Sequence, residues 1–259
     1  MRGGAACSRI DRKERGACIP IDGHENAMRS IDEVEWQRAI SELDERGWTI
    51  LPELLAAADC AEVAALYDRD TGFRKDVVME RHGYGRGAYR YFAYPLPPMV
   101  AALRCKLYSR LAPVANRWHA RMVLDSRFPA EHADFLDRCH GAGQRRPTPL
   151  ILRYGPGDYN CLHQDLYGEH VFPLQAAVLL SSPGEDFSGG EFVLTEQRPR
   201  AQSRAEVVPL NRGDAVIFAV SQRPRAGSRG DHRVTMRHGV ATVRSGRRHM
   251  LGVIFHDAA

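Results

Sequence analysis

The sequence contains a short polar segment, His163-Gln164-Asp165, in which two side chains that commonly bind metal ions are two positions apart. Residues two positions apart on an extended chain share a face, so His163 and Asp165 are predicted to point toward one ion. A second histidine from a distant strand would complete a triad of two histidines and one carboxylate. That triad is typical of non-haem Fe(II) oxygenases, because it leaves three coordination positions open for a co-substrate and O2.

The preferred third ligand is His238, which follows His163 by 75 positions at the start of a strand-like segment. His232 and His256 are the alternatives. His238 is preferred because two adjacent arginines lie about one strand further on, within residues 245–248. A dicarboxylate co-substrate needs such a group, since a bidentate arginine binds its far carboxylate well. The sequence therefore predicts an iron site with a co-substrate site beside it.

Helices are predicted in the first half of the chain. Ser30 and Glu33 form a capping-box pattern, and apolar residues then recur at helical spacing until Gly47. A short strand-like segment, GWTIL, follows. Further helices are predicted near residues 59–68 and 103–118, and their apolar stripes indicate that they pack on the core.

The pattern changes at about residue 148 to short β-like segments separated by turns rich in Gly, Pro and Arg. Seven or eight such segments predict an α+β fold whose core is a double-stranded β-helix, a cupin-like jelly roll, with the N-terminal helices packed on one sheet. No linker separates the halves, so residues 28–259 are predicted to form one domain, helical over 28–145 and jelly roll over 146–259. Residues 1–27 are predicted to be a disordered extension.

Composition and charge exclude several classes of protein. The formal net charge of the 259 residues is +4, and no apolar run approaches the roughly 20 residues that a membrane-spanning helix requires. The six cysteines include no C-x-x-C pair, and no apolar signal-peptide core follows the basic N-terminus. We therefore expect a reduced, cytoplasmic protein without a membrane segment, and we favour a monomer.

The ordered segments HQD, GGEFVL, GDAVIF, HGV and G-x-R resemble the Fe(II)/2-oxoglutarate dioxygenase superfamily. The resemblance implies Fe(II), the co-substrate 2-oxoglutarate and O2, and oxidation of a substrate C–H bond with release of succinate and CO2. In the prolyl-hydroxylase-like branch, the G-x-R arginine binds 2-oxoglutarate. This implies Arg248, ten residues after His238, with Arg247 as the fallback. That branch also uses a tyrosine on the strand after HxD, where this sequence reads AVLLSS, so Tyr154 and Tyr159 are the candidates for the missing hydroxyl.

Most of the chain from about Trp36 onward is similar to a bacterial family called Oxygenase-NA. The similarity lies in MERHGYGRGAYRYFAYPLP, AGQRRPTPLILRYGPGDYNCLHQDLYGEHVFPLQ, GGEFVLTEQRPRAQSRAEVVPL and RHGV. The family label implies oxidative demethylation of alkylated DNA by analogy with AlkB-type enzymes. AlkB-type enzymes, however, carry the co-substrate arginine further downstream, so this iron site is more similar to that of prolyl hydroxylases. The alternative functions are hydroxylation of a peptide side chain or small metabolite, and a non-catalytic, cupin-like metal sensor.

A glycine-rich segment interleaves basic and aromatic side chains, and these are the candidate substrate residues. They are Arg81, His82, Tyr84, Arg86 and Tyr91. Such side chains could stack a base and bind phosphate, with damaged or single-stranded nucleic acid as the partner. The alternative is a surface loop whose aromatic side chains pack on the sheet.

A second basic region, residues 198–233, holds eight arginines. It could attract a polyanion, or it could be a solvated hairpin. His170 and Gln175 follow HQD closely and are candidates for orienting the metal ligands, or for ordinary structural hydrogen bonds.

Overall fold

The structure is a computed structural model, and it describes residues 31–228 and 230–259. The predicted disordered extension and the predicted capping residue Ser30 lie outside the described residues. No helix in the described part of the chain is both long enough and apolar enough to span a membrane.

Four helices and two short 3-10 helices precede the main strands. The helices are α1 (Trp36–Arg46), α2 (Ala57–Ala65), α3 (Pro98–Arg121) and α4 (His132–Gly141), and the 3-10 helices are Leu66–Asp68 and Met79–His82. As predicted, α1 ends at Gly47, whose φ of 82° is readily adopted only by glycine. Helix α2 begins two residues before the predicted start, because Asp59 lies in its first turn and Ala56 is its N-cap.

In the part of the chain that the structure describes, fifteen strands form two facing sheets and one small two-stranded sheet. They are β1 (Trp48–Leu51), β2 (Phe73–Val78), β3 (Gly85–Arg86), β4 (Ala88–Phe92), β5 (Leu150–Tyr154), β6 (Tyr159–His163), β7 (Leu174–Leu179), β8 (Phe187–Gly189), β9 (Phe192–Gln197), β10 (Arg204–Val208), β11 (Ala215–Ala219), β12 (Gln222–Gly227), β13 (Gly230–Val240), β14 (Val243–Gly246) and β15 (Arg248–Val253). The larger sheet has the order β1-β11-β7-β15-β5-β4-β2, and the smaller has the order β10-β9-β13-β6-β3, with β12 paired to β13. Strands β8 and β14, which are distant in the chain, form a two-stranded antiparallel sheet.

The alternation of side chains along β7 shows how the layers pack. Leu174, Ala176 and Val178 join the core that the helices cover, whereas Ala177 and Leu179 join a second core with residues of the smaller sheet such as Phe192. Both faces of β7 are buried because a strand in the middle of a layered fold contacts a neighbour on each side. This arrangement confirms the predicted α+β fold, with helices packed on the outer face of one jelly-roll sheet.

The glycine-rich segment, for which a surface loop was one of the two interpretations, contains strands β3 and β4, and β2 lies just before it. β2 pairs with β4 in the larger sheet, while β3 pairs with β6 in the smaller one, so the chain crosses between the sheets twice. Gly85 permits the crossing, because a Cβ at this position would lie 2.4 Å from the carbonyl oxygen of Tyr159. The segment therefore joins the edges of both sheets at one end of the fold.

Candidate metal centre

The structure brings His163, Asp165 and His238 together between the two sheets. One ligand atom from each lies within 4.8 Å of the others, and among the described residues they form the one such group of three or more His, Cys, Asp or Glu side chains. Nε2 of His163 is 3.6 Å from Oδ1 of Asp165, and Nε2 of His238 is 3.4 Å from Oδ2. Nitrogen and oxygen donors at these separations can share one ion. The alternative histidines, His232 and His256, are not part of the group.

Strand pairing places the two histidines side by side. His163 is the last residue of β6 and pairs directly with His238 on β13, with ring centroids 4.1 Å apart. Nδ1 of His163 is 2.7 Å from the carbonyl oxygen of Cys161, so this nitrogen donates and Nε2 keeps its lone pair. Asp165 lies beyond the end of β6, in a loop. The extended HQD predicted from the sequence is therefore only partly correct, because the strand ends at His163.

The electrostatics of the group favour an ionised Asp165 beside a neutral His163. Burial acts to raise the pKa of Asp165, but His238, His163 and a hydrogen bond from Tyr167 together hold it well below its usual range. Burial and the proximity of His238 lower the pKa of His163. Neutral imidazole and ionised carboxylate are the protonation states that bind a divalent cation.

A chain of tyrosine hydroxyls reaches the group from the larger sheet. Tyr167 donates to Oδ1 of Asp165 at 2.6 Å, and Tyr91 on β4 donates to Tyr167 at 3.2 Å. The rings of Tyr91 and Tyr167 meet edge to face, with centroids 6.4 Å apart. Tyr167 was not among the sequence-predicted site residues, although its position two residues after Asp165 was a usable signal. Its hydrogen bond goes to the oxygen that lies near His163, while Oδ2 of Asp165 remains 3.4 Å from Nε2 of His238.

The group opens into a cavity of about 540 Å³ between the sheets. Its walls include the three residues of the group and apolar side chains such as Leu152, Phe218 and Val240. Gln175, a predicted orienting residue, is buried and also lines the cavity, with no hydrogen-bond partner for its Oε1 among the described residues. A mainly apolar cavity with a few polar groups is typical of a small-molecule site.

A buried arginine lies beside one part of the cavity. Arg248 is 1% exposed, and neither its Nε nor its Nη1 has a hydrogen-bond partner among the described residues. Its Nη2 is 3.3 Å from Sδ of Met250, and its guanidinium is 5.4 Å from the ring of Tyr154. Met250 and Tyr154 both line the cavity, and the Tyr154 hydroxyl also lacks a described partner.

The surroundings of Arg248 leave its charge uncompensated. Burial lowers its pKa to about 10, against the opposing effect of Tyr154 and Glu191, so the guanidinium remains charged at neutral pH. No described carboxylate forms an ion pair with it. Gly190 makes this close packing possible, since a Cβ there would lie 2.9 Å from Cδ of Arg248. By contrast, the fallback Arg247 is exposed, and Tyr159 is exposed and does not line the cavity.

The predicted substrate residues divide into two groups. His82, Tyr84 and Tyr91 line the cavity, and the rings of His82 and Tyr84 stack with centroids 5.3 Å apart. Arg81 and Arg86 are exposed and lie outside the cavity lining. The aromatic part of the segment thus borders the site, whereas its two arginines do not.

Part of the arginine-rich region is structural. Arg223 is fully buried, pairs with Glu196, and donates to the carbonyl oxygens of Asp44 and Glu45 at the end of α1, at 3.2 and 3.1 Å. Arg225 also pairs with Glu196. These contacts favour the structural interpretation for these two arginines, because their charges are used inside the fold. The other orienting candidate, His170, binds Gln144 through its backbone.

Comparison with known proteins gives a family and a fold. Residues 87–258 match the model of the Oxygenase-NA family, described as an oxygenase catalysing oxidative methylation of damaged DNA. Two uncharacterized proteins of Mycobacterium tuberculosis, Rv2227 and MT2286, are each 48% identical to this chain over 174 residues. Each alignment covers 67% of this chain and 75% of the relative.

Solved structures share the fold at low sequence identity. An oxidoreductase of the 2OG-Fe(II) oxygenase family from Burkholderia pseudomallei superposes with a TM-score of 0.50 and 18% identity, covering 88% of this chain and 94% of that one. A prolyl-4-hydroxylase from Pseudomonas putida gives a TM-score of 0.50 and 16% identity, covering 84% and 96%. These similarities show the jelly-roll fold of that superfamily.

Proposed function

The chain belongs to the Oxygenase-NA family and is an oxygenase, and we propose that it uses Fe(II), 2-oxoglutarate and O2 to oxidise a C–H bond of its substrate. The observation that carries the proposal is the group of His163, Asp165 and His238 at the wall of a cavity, with the unpaired guanidinium of Arg248 close by. Neither feature alone indicates this chemistry. Together they supply a facial metal site and a cationic partner for a dicarboxylate.

The donor set fits ferrous iron. His163 and His238 would supply two nitrogens and Asp165 one oxygen, which is the donor set of the two-histidine, one-carboxylate oxygenases. When bound, Fe(II) and 2-oxoglutarate would activate O2 for C–H oxidation, with succinate and CO2 as by-products. The chain's own contribution is to fix the donors. His163 is held by the carbonyl of Cys161, and Asp165 is held by Tyr167.

The surroundings of Arg248 fit the far carboxylate of 2-oxoglutarate. A buried guanidinium of which Nε and Nη1 have no described partner is costly, because its charge is removed from water and these donors stay unpaired. A carboxylate bound there would supply the missing acceptor, and the Tyr154 hydroxyl could donate to the same group. Of the two tyrosines that the sequence suggested for contacting 2-oxoglutarate, we therefore assign this role to Tyr154. Met250 contacts Arg248 and also lines the cavity.

For the substrate, we propose a methylated base in damaged DNA. The support is the family description together with the aromatic side chains His82, Tyr84 and Tyr91 at the cavity, which offer faces for a base outside its stack. Hydroxylation of an N-methyl group gives an N-hydroxymethyl product, which breaks down to formaldehyde and the repaired base. The apolar walls exclude water from the reacting group.

The substrate is tested by supplying the enzyme, loaded with Fe(II) and 2-oxoglutarate, with single-stranded DNA that carries N-methylated bases. We expect one formaldehyde and one succinate per methyl group removed, and no formaldehyde from the unmethylated strand or from His163→Ala. If the methylated strand releases no formaldehyde while a peptide or metabolite stimulates succinate release, the DNA substrate is wrong and the oxygenase chemistry stands.

A further inference from the structure

Three basic side chains, Arg74, Lys75 and Arg146, line the same cavity as the metal centre, and none of them belongs to the co-substrate site. The nearby carboxylates are already used. Asp76 forms an ion pair of 2.7 Å with Arg90, and the buried Asp257 forms one of 2.8 Å with Arg104. No described carboxylate forms an ion pair with any of the three, although the C-terminal residue Ala259 also lines this cavity. This wall of the cavity therefore carries an excess of basic side chains.

The position of Arg74 is fixed by two contacts. Its Nε donates to the carbonyl oxygen of Pro147 at 2.7 Å, and its guanidinium lies 4.3 Å from the centre of the Tyr91 ring. These contacts use one N–H and one face of the guanidinium. Its terminal nitrogens make no hydrogen bond to the described residues, so they remain available to a ligand. A stacked, oriented guanidinium loses less entropy when it binds an anion than a free side chain does.

Arg146 is held next to Arg74 by the backbone. It precedes Pro147, the residue whose carbonyl binds Arg74, and its own N–H and C=O pair with Ala258 at 3.0 and 2.8 Å. Burial and the positive charge of Arg146 both lower the pKa of Arg74, which shows that the two charges are close. Like charges held together by the fold repel each other, and a bound anion removes that cost.

We propose that Arg74 and Arg146 form a phosphate-binding site at the cavity, with Lys75 adding positive charge, and that it binds a backbone phosphate next to the base in the metal centre. This inference rests on the proposed DNA substrate, since it identifies which part of that substrate lies on this wall. Two guanidiniums match the oxygens of a phosphate. The stacking faces of His82 and Tyr84, on the same cavity, favour a nucleotide over an acidic peptide.

A path of direct contacts links this site to the metal centre. Arg74 stacks on Tyr91, the hydroxyl of Tyr91 binds that of Tyr167, and Tyr167 binds Asp165. A phosphate on Arg74 would therefore be held on the wall that ends at the metal ligands. Arg248 is proposed to bind 2-oxoglutarate, so the phosphate and the co-substrate would bind to different arginines.

The test compares Arg74→Gln and Arg146→Gln with the matched control Arg145→Gln. Arg145 is the exposed neighbour of Arg146, lies outside the cavity lining, and its loss changes the net charge equally. Binding of methylated single-stranded DNA is measured by fluorescence anisotropy, without O2, on protein loaded with Mn(II) and 2-oxoglutarate. Each cavity variant should bind about tenfold more weakly, because it loses a hydrogen bond to a charged group.

The salt dependence of DNA binding and a test of folding provide independent evidence on the proposed site. The slope of log K against log salt should fall by about 0.7 for each cavity variant, as expected for one lost phosphate contact on a single strand, and by much less in Arg145→Gln. An unchanged thermal shift on adding 2-oxoglutarate shows that each variant is folded and that its co-substrate site is intact. The proposal is overturned if wild type binds the DNA and all three variants bind it with equal affinity and slope.

If wild type does not bind the DNA, the proposed substrate is wrong. The phosphate-binding site is then tested with inorganic phosphate as the ligand. Mn(II) in the metal centre broadens the phosphorus resonance of phosphate bound nearby. Broadening that is lost in Arg74→Gln and Arg146→Gln but kept in Arg145→Gln supports the site. Broadening that is absent in wild type, or equal in all variants because phosphate binds the metal itself, overturns it.

Discussion

The hydroxyl of Tyr167 donates a hydrogen bond of 2.6 Å to Oδ1 of Asp165, the carboxylate that lies between His163 and His238. Asp165 follows the end of β6, so no strand hydrogen bonds fix its backbone position. Tyr167 supplies that restraint, and Tyr91 in turn binds Tyr167. The metal centre therefore depends on the larger sheet for the orientation of its carboxylate, although both histidines lie on the smaller one.

Tyr167→Phe should weaken metal binding by about 10- to 100-fold, since hydrogen bonds to ligating groups commonly contribute that much. The measurement is a titration with Fe(II) or Mn(II) under anaerobic conditions, with thermal unfolding recorded beside it. Tyr91→Phe is the control, because it keeps the bond between Tyr167 and Asp165 and should have a smaller effect. Equal metal affinity in wild type and Tyr167→Phe would show that Asp165 needs no such restraint.

Arg248→Gln should raise the KM for 2-oxoglutarate by about 100-fold, because it removes a charge-assisted pair in a buried site. Arg247→Gln should change this KM by less than about twofold, as expected for a surface substitution. Succinate release at varied 2-oxoglutarate measures both. The reverse order of effects would transfer the co-substrate role to Arg247.

The proposed binding of 2-oxoglutarate by Arg248 should also show in stability. Added 2-oxoglutarate should raise the unfolding temperature of metal-loaded wild type, since a ligand that binds the folded state stabilises it by mass action. The same addition should leave Arg248→Gln almost unchanged. A thermal shift of equal size in both proteins would place the co-substrate elsewhere.

Asp257→Asn should destabilise the fold by about 3–5 kcal/mol, because Arg104 would be left buried without its partner. The two side chains are 2.8 Å apart and 1% and 0% exposed. Denaturant unfolding measures the loss. A change below about 1 kcal/mol would show that the buried Arg104 does not require the negative charge of Asp257.

The same carboxylate predicts how stability depends on pH. Burial acts to raise the pKa of Asp257, but Arg104 and the hydrogen bonds from His140 and Tyr94 hold it well below its ordinary value of 3.8. A depressed pKa contributes stability that is fully present above pH 3.8 and is lost as the pH falls toward the folded-state pKa. The free energy of unfolding should thus fall more steeply below pH 3.8 in wild type than in Asp257→Asn. Parallel curves would contradict the assignment.

Much of the fold was predictable because each layer imposes its own sequence period. Apolar residues at helical spacing marked α1 up to Gly47, and short β-like segments marked most jelly-roll strands. The pairing of β6 with β13 could not be read from the chain, but the types of His163 and His238 indicated that they meet. The metal-binding chemistry of these two side chains thus indicated a long-range contact that local secondary-structure propensity does not predict.

Other features depended on contacts that a sequence does not display. Strands β3 and β4 lie among the glycines at positions 83, 85 and 87, so a surface loop was one of the two interpretations of this segment. Arg223 looked like part of a basic surface, yet the fold buries it against Glu196, a residue 27 positions away. The arginines of the proposed phosphate site were missed for a similar reason, because Arg74 and Arg146 are distant in the chain and meet in the fold, where Arg74 binds the carbonyl oxygen of Pro147.

The central claim is that His163, Asp165 and His238 hold Fe(II) for a co-substrate bound by Arg248. Anaerobic titration of the apoprotein with Fe(II) and then 2-oxoglutarate tests it directly, because bidentate chelation of ferrous iron produces a weak visible charge-transfer band. We predict that the band appears in wild type, is lost in His163→Ala, and in Arg248→Gln requires about 100-fold more 2-oxoglutarate. A wild-type protein without the band, or a band that is unchanged in His163→Ala, would contradict the account.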